Sequence, residues 1–220
     1  MKSAVVVFPG SNCDRDVFTV MRDQGLNPVS VWHDDAELPD GLDLVVLPGG
    51  FSFGDYLRCG AMAARSPIMQ SVKKFADNGG HVLGICNGFQ ILCETQLLPG
   101  TLMRNDHLKF NCQETILTVE STSSPFTSGY SKGQRINLPV AHAEGNYFAD
   151  ATTLKALNDN GQVALRYTDS INGAQENIAG ITNKAGNVLG LMPHPERHAD
   201  AALGGTDGAI LFQSLVKKFA

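Results

Sequence analysis

Short apolar runs alternate with helix-patterned segments along most of the chain, and this alternation constrains the fold more than any other feature. Such a pattern belongs to α/β proteins, whose strands are buried by helices packed on the sheet. The first run, residues 4–8, ends in Pro9-Gly10-Ser11-Asn12. A helical stripe of Val17, Val20 and Met21 follows and stops at Gly25. Residues 29–32, 42–47 and 81–85 read as further strands. Ser66-Pro67 opens a helix carrying Ile68, Met69, Val72 and Phe75, which Asn78-Gly79-Gly80 close. Residues 87–95 continue as a helix. Nearly continuous apolar strands of this kind are those of a parallel sheet buried on both faces.

The middle of the chain, from residue 113 to about 146, alternates with a β period, most clearly at 115–119. It predicts a small antiparallel extension of the sheet. Residues 152–158 read as a short helix, and 163–167, 178–182 and 188–192 as strands. The polar segment 183–187 joins the last two as a hairpin. Residues 207–218 form a closing amphipathic helix. The expectation is therefore an α/β fold with a mostly parallel central sheet.

Composition bounds the function. With 220 residues, 43% hydrophobic, the chain can bury its own core as a single domain over 1–220. No apolar run approaches the roughly 20 residues needed to cross a bilayer, and the first residues lack the form of a secretory signal. A cytoplasmic location is expected. The net charge is −5, and no basic cluster stands out, which argues against nucleic acid and anionic membrane as partners. The five cysteines have no framework or C-x-x-C spacing, so each reads by default as a small buried hydrophobe. No histidine spacing suits a metal.

Cys86 departs from that default. It stands in Gly84-Ile85-Cys86-Asn87-Gly88-Phe89-Gln90, between an apolar strand and a helix. A nucleophile there sits on a tight turn above the sheet edge. The helix N-terminus offers free N–H groups and positive potential, which favour an anionic sulfur. The N–H of Asn87 would face an oxyanion formed at a carbonyl attacked by Cys86. A second segment, Pro193-His194-Pro195-Glu196-Arg197, follows a strand, and i, i+2 side chains of extended chain share a face. His194 can thus act as a base oriented by Glu196. A third segment, Pro48-Gly49-Gly50-Phe51, ends another strand at the same sheet edge. There the N–H of Gly50 or Phe51 could complete an oxyanion hole.

Taken together these segments resemble the class I glutamine amidotransferase family. The runs at 8–14, 48–61, 84–90 and 192–197 are similar to the branch of it that serves purine biosynthesis, and the similarity covers nearly the whole chain. The resemblance implies a flavodoxin-like fold and a glutaminase triad of Cys86, His194 and Glu196. It implies substrate contacts by Gly49, Gly50, Phe51, Asn87 and Gln90, with Arg58 and the loop 141–145 as weaker candidates for contact or docking. No cofactor or metal is implied on this subunit. Its partners would be a large synthetase subunit, which uses ATP and Mg, and a small bridging subunit; ammonia would pass to the synthetase by a protected channel. Residues 171–177 depart from the branch pattern and leave that loop's conformation open.

Three rival readings remain at this level: another member of the class, a cysteine peptidase or γ-glutamyl hydrolase on a related fold, and a catalytically silent interaction subunit.

Overall fold

A computed structural model of the chain describes residues 1–219. The strands are β1 (Lys2–Val7), β2 (Asn27–Trp32), β3 (Leu44–Leu47), β4 (His81–Ile85), β5 (Thr101–Met103), β6 (Asn111–Val119), β7 (Arg135–His142), β8 (Asn146–Phe148), β9 (Val163–Tyr167), β10 (Ile178–Thr182) and β11 (Val188–Leu191). The helices are α1 (Asp14–Asp23), α2 (Ile68–Asp77), α3 (Asn87–Glu94), α4 (Ala151–Asp159) and α5 (Ala209–Phe219).

Nine strands make one sheet in the order β2-β1-β3-β4-β11-β10-β9-β6-β7. Its first five strands are mutually parallel, and β10, β9, β6 and β7 continue it antiparallel. All of β3 and β11 is buried, as central strands covered on both faces must be. Each fully buried Val, Leu or Ile there contributes about 1.5–3 kcal/mol relative to exposure. Helix α1 buries Val17, Val20 and Met21 and packs on β1 and β2. Helix α3 packs on β3, β4 and β11. Both edge strands carry a proline, Pro28 in β2 and Pro139 in β7, where the missing N–H costs no ladder bond.

Boundaries differ from the sequence reading by one or two residues, for local reasons. Strand β3 starts at Leu44 because Asp43 turns back on β1: its N–H donates to Lys2 O, and its carboxylate accepts from Lys2 N at 2.8 Å. The small sheet of β5 and β8 was not anticipated, since three-residue strands show no period.

Parallel direction sets the site. The chain leaves β1, β3, β4 and β11 at one edge of the sheet, and the register aligns Leu47 with Gly84 and Ile85 with Leu191. The segments after these strands therefore meet above that edge.

Candidate active site

Cys86 occupies the turn from β4 into α3 with φ 50° and ψ −103°, a sparsely populated conformation for a residue with a side chain. Such strain persists only where the surroundings impose it. Here the backbone N–H of Cys86 donates to Leu191 O at 2.8 Å, and its carbonyl accepts from Phe89 and Gln90. The turn also needs bare backbone beside it: a Cβ on Gly88 would lie 2.0 Å from Leu47 O. The cysteine is 5% exposed and its thiol faces Ala141 O at 3.7 Å.

His194 follows β11 and is 1% exposed. Its backbone N–H donates to Pro139 O at 2.8 Å, which ties the segment to edge strand β7. Its Nδ1 meets Glu196 Oε1 at 2.6 Å. The i, i+2 relation read from the sequence thus produces the expected contact. Burial by itself would push the ring's pKa down. The Glu196 carboxylate outweighs it, with help from the sulfurs of Cys86 and Cys13, and holds the pKa well above the usual histidine value. Nε2 has no hydrogen-bond partner among the described residues.

The two side chains share a cavity of about 160 Å³ with Gly50, Ala141, Cys13 and Arg197. The rings of Phe51 and Phe110 also line it, stacked with centroids 6.5 Å apart. Gly49 fits beneath His194 only because it lacks a side chain: a Cβ there would lie 2.8 Å from Cε1 of the imidazole. A larger cavity, about 420 Å³, lies beyond Arg197 among Asp16, Asp23 and Asp200, but neither Cys86 nor His194 reaches it.

Of the N–H groups considered for an oxyanion, that of Phe51 already donates to Gly10 O at 3.2 Å. Those of Gly50 and Asn87 take no protein acceptor among the described residues. Gln90 is buried, with Oε1 accepting from Asn87 Nδ2 at 2.8 Å and Nε2 donating to Glu144 O at 2.7 Å. It fastens α3 to the loop 141–145 and is not among the residues lining the cavity. Arg58 lies apart, in an exposed bidentate pair with Glu94 at 2.6 and 2.7 Å. The divergent loop 171–177 is closer to the site than its sequence distance suggests: Asn172 Nδ2 donates to Gly145 O at 2.9 Å.

Four residues of the cavity escaped the sequence reading: Asn12, Cys13, Phe110 and Arg197. Cys13 precedes α1, and Arg197 Nη2 donates to its sulfur at 3.0 Å. Arg197 is held in turn by Asp16, with Nε 3.1 Å from Oδ2. The Cys13 sulfur, a ring nitrogen of His194 and a Glu196 carboxylate oxygen lie within 4.8 Å of one another. The available signal was position: Cys13 follows β1, which runs parallel to β3 and so ends at the same sheet edge.

Residues 1–204 match the CobB/CobQ-like glutamine amidotransferase domain family. The chain is 59% identical to the phosphoribosylformylglycinamidine synthase subunit PurQ of Zymomonas mobilis, with 100% of both chains covered. It is 58% identical to the same subunit of Jannaschia sp., covering 98% of this chain and 97% of that one. Among solved structures it is similar to a chain of PurLQS from Thermotoga maritima, at 45% identity and a TM-score of 0.92, covering 100% of this chain and 99% of that one.

Proposed function

The chain belongs to the CobB/CobQ-like glutamine amidotransferase family, and we propose that it is the glutaminase subunit of phosphoribosylformylglycinamidine synthase, hydrolysing glutamine and delivering ammonia to a separate synthetase subunit. The observation that carries this reading is the closure of Cys86, Gly50 and His194 around one small cavity, with Glu196 bonded to the far side of the imidazole.

In this reading Cys86 gives its proton to His194 as its sulfur attacks the side-chain amide carbon of glutamine. The negative charge that develops on the amide oxygen is met by the N–H groups of Gly50 and Asn87. His194, whose pKa is raised by the Glu196 carboxylate against burial, holds that proton and gives it to the departing ammonia. A water, deprotonated by the now neutral ring, then releases glutamate from the γ-glutamyl thioester. Glu196 fixes the tautomer and stabilises the imidazolium throughout. Gln90 acts from beneath, holding the loop of Ala141 against α3.

The resting geometry also supports a division of labour. The thiol of Cys86 faces Ala141 O, and His194 Nε2 has no hydrogen-bond partner among the described residues. Attack requires the S–H of Cys86, now aimed at Ala141 O, to be aimed at the ring instead. Docking of the synthetase, with the small bridging subunit, supplies that adjustment and couples glutamine cleavage to demand. Ammonia released into a closed path stays neutral and nucleophilic, whereas in water near neutral pH it is mostly ammonium. The chain needs no cofactor of its own; ATP and Mg act on the synthetase. No helix among the described residues is long and apolar enough to cross a membrane, and the five cysteines are all free, as suits a reducing cytoplasm. The 1–220 span acts as one glutaminase domain.

The deciding experiment is glutamine-dependent amidine synthesis with the partner subunits and ATP. Cys86→Ser abolishes glutamine use and leaves ammonia-dependent synthesis intact. Loss of both activities, or of neither, overturns the assignment.

A further inference from the structure

We propose that Cys13 and Cys86 form a peroxide-sensitive thiol pair, which a hydroperoxide entering the shared cavity converts to a reversible disulfide. The glutaminase mechanism makes no use of the Cys13 sulfur, and its surroundings differ from those of the other spare cysteines. Burial pushes the Cys59 and Cys93 thiols far up, and neighbouring carboxylates add to it, so both are inert. Cys112 is exposed and lies outside the cavity.

Cys13 instead has the Arg197 guanidinium 3.0 Å from its sulfur and a His194 ring nitrogen within 4.8 Å. Cys86 stands at the N-terminus of α3 beside the same imidazole. Positive groups of this kind are what make a thiol reactive. The two side chains also converge. One point, where a Gly49 Cβ would stand, is 3.3 Å from Cys13 Sγ and 3.4 Å from Cys86 Cβ. His194 lines the same cavity, and its buried Nε2, without a hydrogen-bond partner among the described residues, can exchange a proton with a small polar guest.

The chemistry balances in two steps. The Cys86 thiol gives its proton to His194 as its sulfur attacks one oxygen of the hydroperoxide, the O–O bond breaks, and the departing oxygen takes that proton from His194. Cys86 is left as a sulfenic acid. The Cys13 sulfur then attacks the Cys86 sulfur, the S–O bond breaks, and hydroxide leaves as water with the proton Cys13 gives up. The peroxide gains two electrons and each sulfur loses one. A dithiol reverses the change. With Cys86 so capped, glutamine cannot react, and further oxidation of the nucleophile to its irreversible forms is prevented.

The test reads thiols, not glutamine turnover, so it stands or falls separately from the proposed function. The full chain is exposed to a small molar excess of hydrogen peroxide, free thiols are blocked, and the peptides are mapped by mass. The expected result is a cross-linked peptide joining Cys13 and Cys86, with dithiothreitol restoring at least about nine-tenths of the lost thiols. In Cys13→Ser, Cys86 should proceed to the sulfinic acid, and recovery should fall below about one-tenth. Cys13→Ala provides a second variant. The wild-type map decides alone if both variants misfold: sulfinic Cys86 without the cross-link overturns the proposal. So does a cross-link through Cys112, or equal recovery in wild type and variant.

Discussion

His194 rests against Gly49 so closely that a single methyl group between them would sit 2.8 Å from the imidazole Cε1. The ring is pinned elsewhere by Glu196 at 2.6 Å and through its backbone by Pro139. It cannot yield away from Gly49 without losing one of these. Gly49→Ala should therefore displace the ring from Cys86. Misplacement of about 1 Å can cost a factor of about 10² in rate. We expect a loss of that order in glutamine-dependent turnover, with ammonia-dependent synthesis by the complex unchanged. Steady-state assays with the two nitrogen sources separate these outcomes.

Glu196→Gln keeps the shape and removes the charge. The carboxylate is the main influence raising the His194 pKa against burial, so in the variant that pKa should drop sharply. A fall in kcat of about 10⁴ is expected, as when a triad carboxylate becomes an amide. The pH dependence of stability should change as well. In the wild type His194 binds its proton more tightly folded than unfolded. That contribution is full below the unfolded value of about 6.5 and is lost as pH rises through the folded pKa. Denaturant titrations across this range should show the loss in the wild type and a much smaller one in Glu196→Gln.

His142 has the opposite sign. It is a buried member of the loop 141–145, and burial, reinforced by His194 and His107, lowers its pKa to about 4. The neutral ring contributes stability above the unfolded value of about 6.5, and this is lost as pH falls toward about 4. His142→Asn should flatten stability across this window. An equally steep acid slope in the variant would show that other groups control it.

Gln90→Leu should cut the chain from Asn87 through Gln90 to Glu144. It strands two partners, Asn87 Nδ2 and Glu144 O, that Gln90 now satisfies. A buried polar group left unpaired costs about 1–3 kcal/mol. We expect stability to drop by an amount in that range. The loop that carries Ala141 should also loosen, raising KM for glutamine more than it lowers kcat. Chemical denaturation and glutamine saturation curves measure the two effects.

The sheet and its helices were readable because they depend on local periodicity. Val17, Val20 and Met21 recur at the helical period and are the buried face of α1. The segments 44–47 and 82–85 are unbroken apolar runs and became central strands. The contact of His194 with Glu196 was readable for a similar reason, being local along an extended chain. Strands β5 and β8 were not, since three residues pair only when the rest of the fold brings them together. The oxyanion donors were only partly readable. Nothing in Gly50-Phe51 tells which N–H is taken, and the answer lay 41 residues earlier, at Gly10 O.

Cys13 and Arg197 show the same division more sharply. They are 184 residues apart, and neither resembles a site residue in its own segment. What the sequence by itself determined was the succession of strands and helices and the strand-end placement of Cys86 and His194. Both follow from short-range pattern and from the rule that parallel strands end together. What the tertiary structure decided was which loops share a cavity, which N–H groups stay free, and which second sulfur stands beside the histidine. These depend on strand order and register, and pairings between distant segments arise only when the whole sheet has closed.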